Sequence, residues 1–290
     1  MQSLDLSTIH RRIAVDPPYF AFKQLTKDDD GTVYGDFVPE QAMGYECGLV
    51  SAAELGRHLA ILGSCAAAAA LPHDERVYYL AMKAHYIALR QEKQNAQPEQ
   101  VLHALAKIIP DENGNARTLK SFTSASDNET FATLLVEYSV LPEKLFKRMF
   151  SNFSNNQVIA LSDSPYKQSI PLRFDKASNT GLIAHSSALE PDQCAGHFSG
   201  YPAWPVAIIA YSLLQVAGKL FHHVIGAEEK YAIHQVKLDV KQLISSSDPL
   251  SFQAEFIPTA SISPRYTFQC KVIHQQKTIV ELEVEIDRLS

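Results

Sequence analysis

His197 stands in Gly196-His-Phe-Ser-Gly-Tyr-Pro-Ala-Trp-Pro205, where two prolines lead straight into the apolar stretch 206–218. Proline fixes its own φ and disfavours helix in the residue before it, so the imidazole rides on a braced turn and a helix can begin at Pro205 without wasting a donor. A neutral imidazole held in place suits a general base working near pH 7. Two other groupings carry less. Cys47 in Gly44-Tyr-Glu-Cys-Gly48 has the look of a nucleophile turn, but no base is placed beside it, and it reads as a packed thiol. Ser164-Pro-Tyr-Lys167 matches a Ser-x-x-Lys pattern by letter alone.

The His197 block resembles the signature of the β-hydroxyacyl-thioester dehydratases of fatty-acid and polyketide synthesis. That signature reads Gly-His-Phe-Pro, two residues, Pro, two residues, Pro-Gly, then an acid and a glutamine on the following helix. Here Ser199 replaces a proline, Val206 a glycine and Tyr211 the acid, while Gln215 holds the glutamine position. The resemblance implies a hot-dog fold, a curved antiparallel sheet wrapped around one long helix. It also implies a site shared between two such folds, with the histidine from one and the acid from the central helix of the other.

An internal repeat supplies the second fold. The stretch 48–66 lies over 205–218, placing Glu54 opposite Tyr211 and His58 opposite Gln215; residues 20–40 resemble 170–191; and 77–89 match 231–243 with Lys83 opposite Lys237. One half keeps the helix acid and lacks the Gly-His-Phe loop, and the other keeps the loop and lacks the acid. The expected architecture is therefore α+β, a double hot-dog in which two antiparallel sheets each wrap a long central helix as a pseudo-dimer. Its domains are 1–150, ending in a linker helix, and 151–290, carrying the loop.

On the resemblance, the expected activity is that of a hydro-lyase, removing water from a β-hydroxyacyl thioester to give a trans-2-enoyl thioester without cofactor or metal. His197 takes the α-proton, and Glu54, kept protonated by an apolar surround, gives one to the departing hydroxyl. His58, one turn further on the same helix face, orients the carboxyl. Gly48 and Leu49, at the start of the acid-bearing helix, offer backbone N–H groups to the thioester oxygen, and Gly200, Tyr211 and Gln215 complete the substrate contacts. The carrier is acyl carrier protein or coenzyme A, with Lys144, Lys147 and Arg148 as a modest basic patch for the former. Two alternatives stay open: a hot-dog thioesterase using a carboxylate, Glu54 among them, to activate water or attack the acyl group, and a decayed, non-catalytic hot-dog that binds acyl carriers. A homodimer or association with another hot-dog protein is compatible with each.

Composition bounds these readings. The 290 residues are enough for two domains of ordinary size, and 46% apolar content supports real cores. A net charge of −6, with no Lys/Arg stripe, argues against a nucleic-acid surface. Cys47, Cys65, Cys194 and Cys270 are scattered, at neither zinc nor disulfide spacing. The segment from Met1 to Asp16 lacks a signal-like apolar core, and the longest apolar run, 203–218, is short for a membrane span, so a cytoplasmic protein is expected.

The elements that must position the site follow from periodicity. In the first half, strands are expected at 20–25, 32–38, 77–89, 116–124 and 131–140 around a helix at 50–70. A polar stretch and a short apolar helical piece at 101–109 form an insertion in 91–109, and residues 142–151 form the amphipathic linker. In the second half, strands at 171–174, 181–188, 231–243, 250–257, 265–274 and 278–287 surround a helix at 205–224. Both helices are apolar nearly all round, as befits helices enclosed by a sheet.

Overall fold

Period-two alternation runs through strand after strand, and two long apolar runs at helical period interrupt it, so the chain separates into sheet and the helices the sheet must cover. The computed structural model describes residues 1–71, 75–90, 97, 99–110, 117–155, 163–258 and 264–289. The first half comprises β1 (Gln2–Ser3), α1 (Leu6–Ile13), β2 (Leu25–Lys27), β3 (Val33–Phe37), α2 (Ala52–Ala70), β4 (Val77–Ala88), β5 (Leu102–Ile109), β6 (Thr118–Ser126) and β7 (Thr130–Pro142). After α3 (Glu143–Met149) come β8 (Arg173–Phe174), β9 (Gly181–His185), α4 (Val206–Ile225), β10 (Tyr231–Val240), β11 (Ser251–Ile257), β12 (Arg265–His274) and β13 (Lys277–Arg288).

All pairings between the described strands are antiparallel, and the two sheets join edge to edge through β4 and β10 into one sheet of order β1-β2-β3-β5-β6-β7-β4-β10-β13-β12-β11-β9-β8. Its concave side covers α2, packed on β3, β5 and β6, and α4, packed on the corresponding β9, β11 and β12. In β13, Val280, Leu282, Val284 and Ile286 are all buried. Each such side chain is worth about 1.5–3 kcal/mol on removal from water. By length and apolar composition α4 alone among the described helices could cross a membrane, but it is the helix enclosed by the second sheet.

A single constant offset in numbering relates the two halves. It separates the helix N-caps Ser51 and Pro205, and equally Val77 and Tyr231, the first residues of β4 and β10. On this offset Ala84 is equivalent to Leu238, and the two are direct partners in the sheet, so the pseudo-two-fold axis passes between them.

Three expectations are corrected. The helical piece at 101–109 is strand β5, with Leu102, Ala104 and Ala106 buried and His103 and Lys107 exposed, a period of two. It pairs with β3 and β6 and is the counterpart of β11, so it is no insertion; residues 91–96 lie outside those described. Of 20–25 only Leu25 joins a strand, because Phe20 and Phe22 turn into the core towards Phe37. The helix alignment also slips by three residues: on the observed offset Tyr211 corresponds to Arg57 and Ile208 to Glu54. Three residues are close to one helical turn, and an apolar helix offers little to mark its register.

Candidate active site at the helix interface

Small side chains on the facing sides of the two central helices leave space between them. Ala52, Ala53, Gly56 and Ala60 of α2 face Val206, Ala207, Ala210 and Leu214 of α4 across a cavity of about 130 Å³. Its floor includes Ala84, Tyr86, Leu238 and Val240, on both sides of the pseudo-two-fold axis. The lining is apolar except at Tyr19, Arg57, Ser64 and His197 and at the hydroxyls of the other tyrosines.

Three of these side chains come from separate parts of the chain. Asp16 N–H donates to the Gly196 carbonyl (2.8 Å), and Val15 bridges to His197, so the segment after α1 clamps the histidine loop. Gly196, at φ +81°, lies directly beneath this segment: a Cβ there would strike the Asp16 carbonyl and come within 2.9 Å of Tyr19 N. His197 and Phe198 line both the cavity and a surface cleft of about 560 Å³, so the imidazole sits where the two meet. Burial pushes the imidazole down to about 3, against the opposing effect of a hydrogen bond to the Ala203 carbonyl. It is therefore neutral across the physiological range, and its Nδ1 is buried without a hydrogen-bond partner.

The Tyr19 ring meets that of His197 edge-on at 4.9 Å, and its hydroxyl accepts from the Ala207 N–H at the start of α4. Burial raises this phenol to about 12, so it stays protonated. Arg57 is 2% exposed. Its Nη2 donates to Glu40 at 2.5 Å, and its guanidinium carbon lies 5.0 Å and 5.8 Å from the Tyr166 and Tyr19 ring centroids. Nε and Nη1 are buried with no hydrogen-bond partner. Leaving such donors unmade is costly, about 1–3 kcal/mol each. Arg57 lines the cavity together with Tyr19 and His197.

Glu54 and His58 are not in the cavity wall. Glu54 accepts from the Glu40 N–H (2.7 Å) and the Gln41 N–H (3.1 Å), and lies 3.3 Å from His58 Nε2 and 3.9 Å from Arg57. Burial, the largest single influence, pushes its carboxyl up, but His58, the Glu40 N–H and Arg57 together outweigh it and hold the group below its ordinary value. His58 packs between Phe22 and Phe37, and burial followed by Arg57 lowers its basicity. The pair ties the 40–41 segment to α2, and the carboxyl is an ionised acceptor where a dehydratase acid must be a proton donor. Gly48 and Leu49 line a separate cavity of about 30 Å³, and Gly200 lines the surface cleft. Tyr211 donates to the Ala42 carbonyl at 3.3 Å, and Gln215 lines none of these spaces.

Arg57 and Tyr19 escape the sequence reading. Arg57 carries a usable signal, the one Lys or Arg within a largely apolar helical run. Tyr19 carries none, since only the clamp between 14–20 and the histidine loop brings it there. Among the described residues no three His, Cys, Asp or Glu side chains come together as a metal site requires.

No protein-family model and no curated protein matches the sequence. Solved structures do match in fold. The tesB protein MAP1729c of Mycobacterium avium subs paratuberculosis superposes with a TM-score of 0.57 at 9% identity, over 92% of this chain and 96% of that one. The 12:0-ACP thioesterase from Umbellularia californica gives 0.56 at 10%, over 94% and 100%. An acyl-ACP thioesterase from Bacteroides thetaiotaomicron gives 0.54 at 12%, over 90% and 100%. The chain is a double hot-dog. The expectation of a dehydratase, and with it of a hydro-lyase, is corrected: the proteins that share this double hot-dog over nearly its whole length include acyl-ACP thioesterases, and the acid the elimination needs is absent from the cavity.

Proposed function

We propose that this double hot-dog is an acyl-thioester hydrolase. The observation that carries the reading is Arg57, a buried cation with two unpartnered N–H groups, in the wall of a mostly apolar cavity that it shares with His197. An acyl chain fits the apolar part, and its thioester carbonyl oxygen fits the guanidinium. As water adds to the carbonyl carbon, charge builds on that oxygen, and preset donors in a dry site stabilise it more than they stabilise the starting carbonyl.

His197 Nδ1 accepts the proton of the attacking water. The C–S bond then breaks, and the same proton passes to the departing thiolate, giving a fatty acid and a free thiol. Burial makes the imidazole a weak base in the empty cavity, but the oxyanion forming beside it raises its proton affinity at the moment the proton must move. The thioesterases sharing the fold support the hydrolase reading. The carrier, coenzyme A or acyl carrier protein, is part of the proposal.

The test is free-thiol release from saturated acyl-CoA and acyl-carrier-protein substrates of graded length. Arg57→Lys keeps the charge opposite Glu40 and Glu54 while removing the planar fork, so kcat falls about 10²–10³-fold, the usual cost of a lost oxyanion donor. Wild-type protein that binds acyl thioesters without releasing thiol refutes the proposal and supports a non-catalytic carrier-binding hot-dog.

A further inference from the structure

The large cavity is elongated, and its two ends differ. Its floor follows β4 from Tyr79 to Tyr86, about 20 Å once the irregularity between Ala81 and Lys83 is allowed for. His197 and Phe198 stand at one end of this run, with the Phe198 ring 5.3 Å from that of Tyr78 at the start of β4. Tyr86 stands at the other, between its strand partners Leu134 of β7 and Val236 of β10, which line the cavity with it.

Behind Tyr86 lies more space. The buried tyrosine also lines the cavity of about 30 Å³ reached by Gly48 and Leu49, and it is the one described residue common to the two walls. Its ring is therefore the partition between them. Beyond it the wall is formed mainly by apolar side chains, Val50, Phe131, Ala232 and Ile233 among them. The acid of that wall, Glu46, accepts the Ala52 N–H at 2.7 Å.

The pseudo-two-fold relation shows that the fold itself does not demand a ring here. On the offset separating Val77 from Tyr231, the counterpart of Tyr86 is Val240, which lines the same large cavity. Val240 follows Asp239, the partner of Lys83, and so lies towards the His197 end. One structural position thus carries a valine where the cavity runs up to the proposed base and a tyrosine where it runs away from it.

We propose that Tyr86 is the stop that sets the longest acyl chain this protein accepts, its ring meeting the methyl end of a chain whose thioester lies by His197 and Arg57. The proposal rests on the hydrolase reading for its substrate. A chain that just reaches the ring is buried along its length, and a longer one holds its thioester short of the imidazole. Each methylene moved out of water is worth about fourfold in binding, so two methylenes admitted past a trimmed side chain are worth more than about tenfold.

The experiment measures thiol release and, by titration calorimetry, binding of octanoyl-, lauroyl-, myristoyl-, palmitoyl- and stearoyl-CoA by wild-type, Y86V, Y86L and Y86F proteins, with melting temperatures for each. The readout is kcat/KM for each chain relative to octanoyl-CoA, a ratio that does not depend on the folded fraction. Y86L retains more apolar volume and carries the test where Y86V melts early. The expected result is a wild-type ratio that falls beyond one chain length, a rise of at least about tenfold at the next length in Y86V and Y86L, and a wild-type cut-off in Y86F. Thiol release with no cut-off in the wild type, or with the same cut-off in wild type, Y86V and Y86L, overturns the stop and leaves the hydrolase reading standing. A cut-off moved as far by Y86F as by Y86V assigns the effect to the hydroxyl and also overturns it. Binding whose cut-off moves in Y86V and Y86L, without thiol release by the wild type, refutes the hydrolase reading and leaves the stop standing. Neither binding nor release overturns both.

Discussion

Replacing His197 by Phe removes a buried imidazole while keeping a ring against Tyr19 and Phe198, and the stability of the two proteins then diverges with pH. In the folded chain the imidazole is held at about 3, against an ordinary value of 6.5. Between those values the unfolded chain binds a proton that the folded chain does not, so stability is full above pH 6.5 and declines as pH falls. Each unit of pH in that window is worth about 1.4 kcal/mol. The wild type therefore loses about 2 kcal/mol at pH 5 and about 4 kcal/mol by pH 3 through this residue alone. The group is buried, so solvent screening takes little from these figures.

Urea unfolding of wild type and H197F at pH 7.5, 6.5, 5.5 and 4.5 gives the difference directly, because every other titrating group contributes equally to both. Glu46 is the main one to cancel. Its raised carboxyl contributes stability below about pH 4.5 that is lost as pH rises through about 7, opposite in sign to His197. The difference curve is flat above pH 6.5 and slopes by about 1.4 kcal/mol per unit below it. A curve flat down to pH 4.5 would show an imidazole that titrates normally, and the neutral base placed at the cavity mouth would fall with it.

Filling the helix interface separates stability from activity. An ideal Cβ on Gly56 meets nothing within 4 Å, so Gly56→Ala gains up to about 1 kcal/mol of helix propensity, read as a higher melting temperature. Gly56→Leu occupies the acyl space and lowers kcat/KM for long-chain thioesters at least about tenfold; undiminished activity would exclude the cavity as the acyl site. Gly196→Ala combines a left-handed φ with collision against the Asp16 backbone and costs upwards of about 2 kcal/mol, seen as a lower urea midpoint together with lost activity. Glu54→Gln leaves Arg57 and two backbone donors poorly matched and costs about 3 kcal/mol in urea unfolding. Its residual activity tracks the folded fraction with an unchanged pH profile, whereas a catalytic acid would shift that profile.

The residue patterns by themselves determined two copies, each with an all-round apolar helix, and strands such as 231–243 and 77–89 whose match carries the offset between the halves; that these copies form a double hot-dog was implied by the resemblance of the His197 loop to the dehydratase signature. The same patterns also marked the His197 loop, because prolines constrain backbone locally and read the same in any tertiary setting. The helix register was beyond them, since apolar residues in an enclosed helix are interchangeable over a turn, and the place opposite Tyr211 that the sequence gives to Glu54 belongs to Arg57 in the fold. Which side chains share the cavity was decided only by packing. Tyr19 reaches it through a clamp to Gly196, in the far half of the chain, and Glu54 is turned out of it by the backbone donors of residues 40–41. Local chemistry is written in residue types, but the ionisation and accessibility of a buried group depend on neighbours that no sequence spacing brings together.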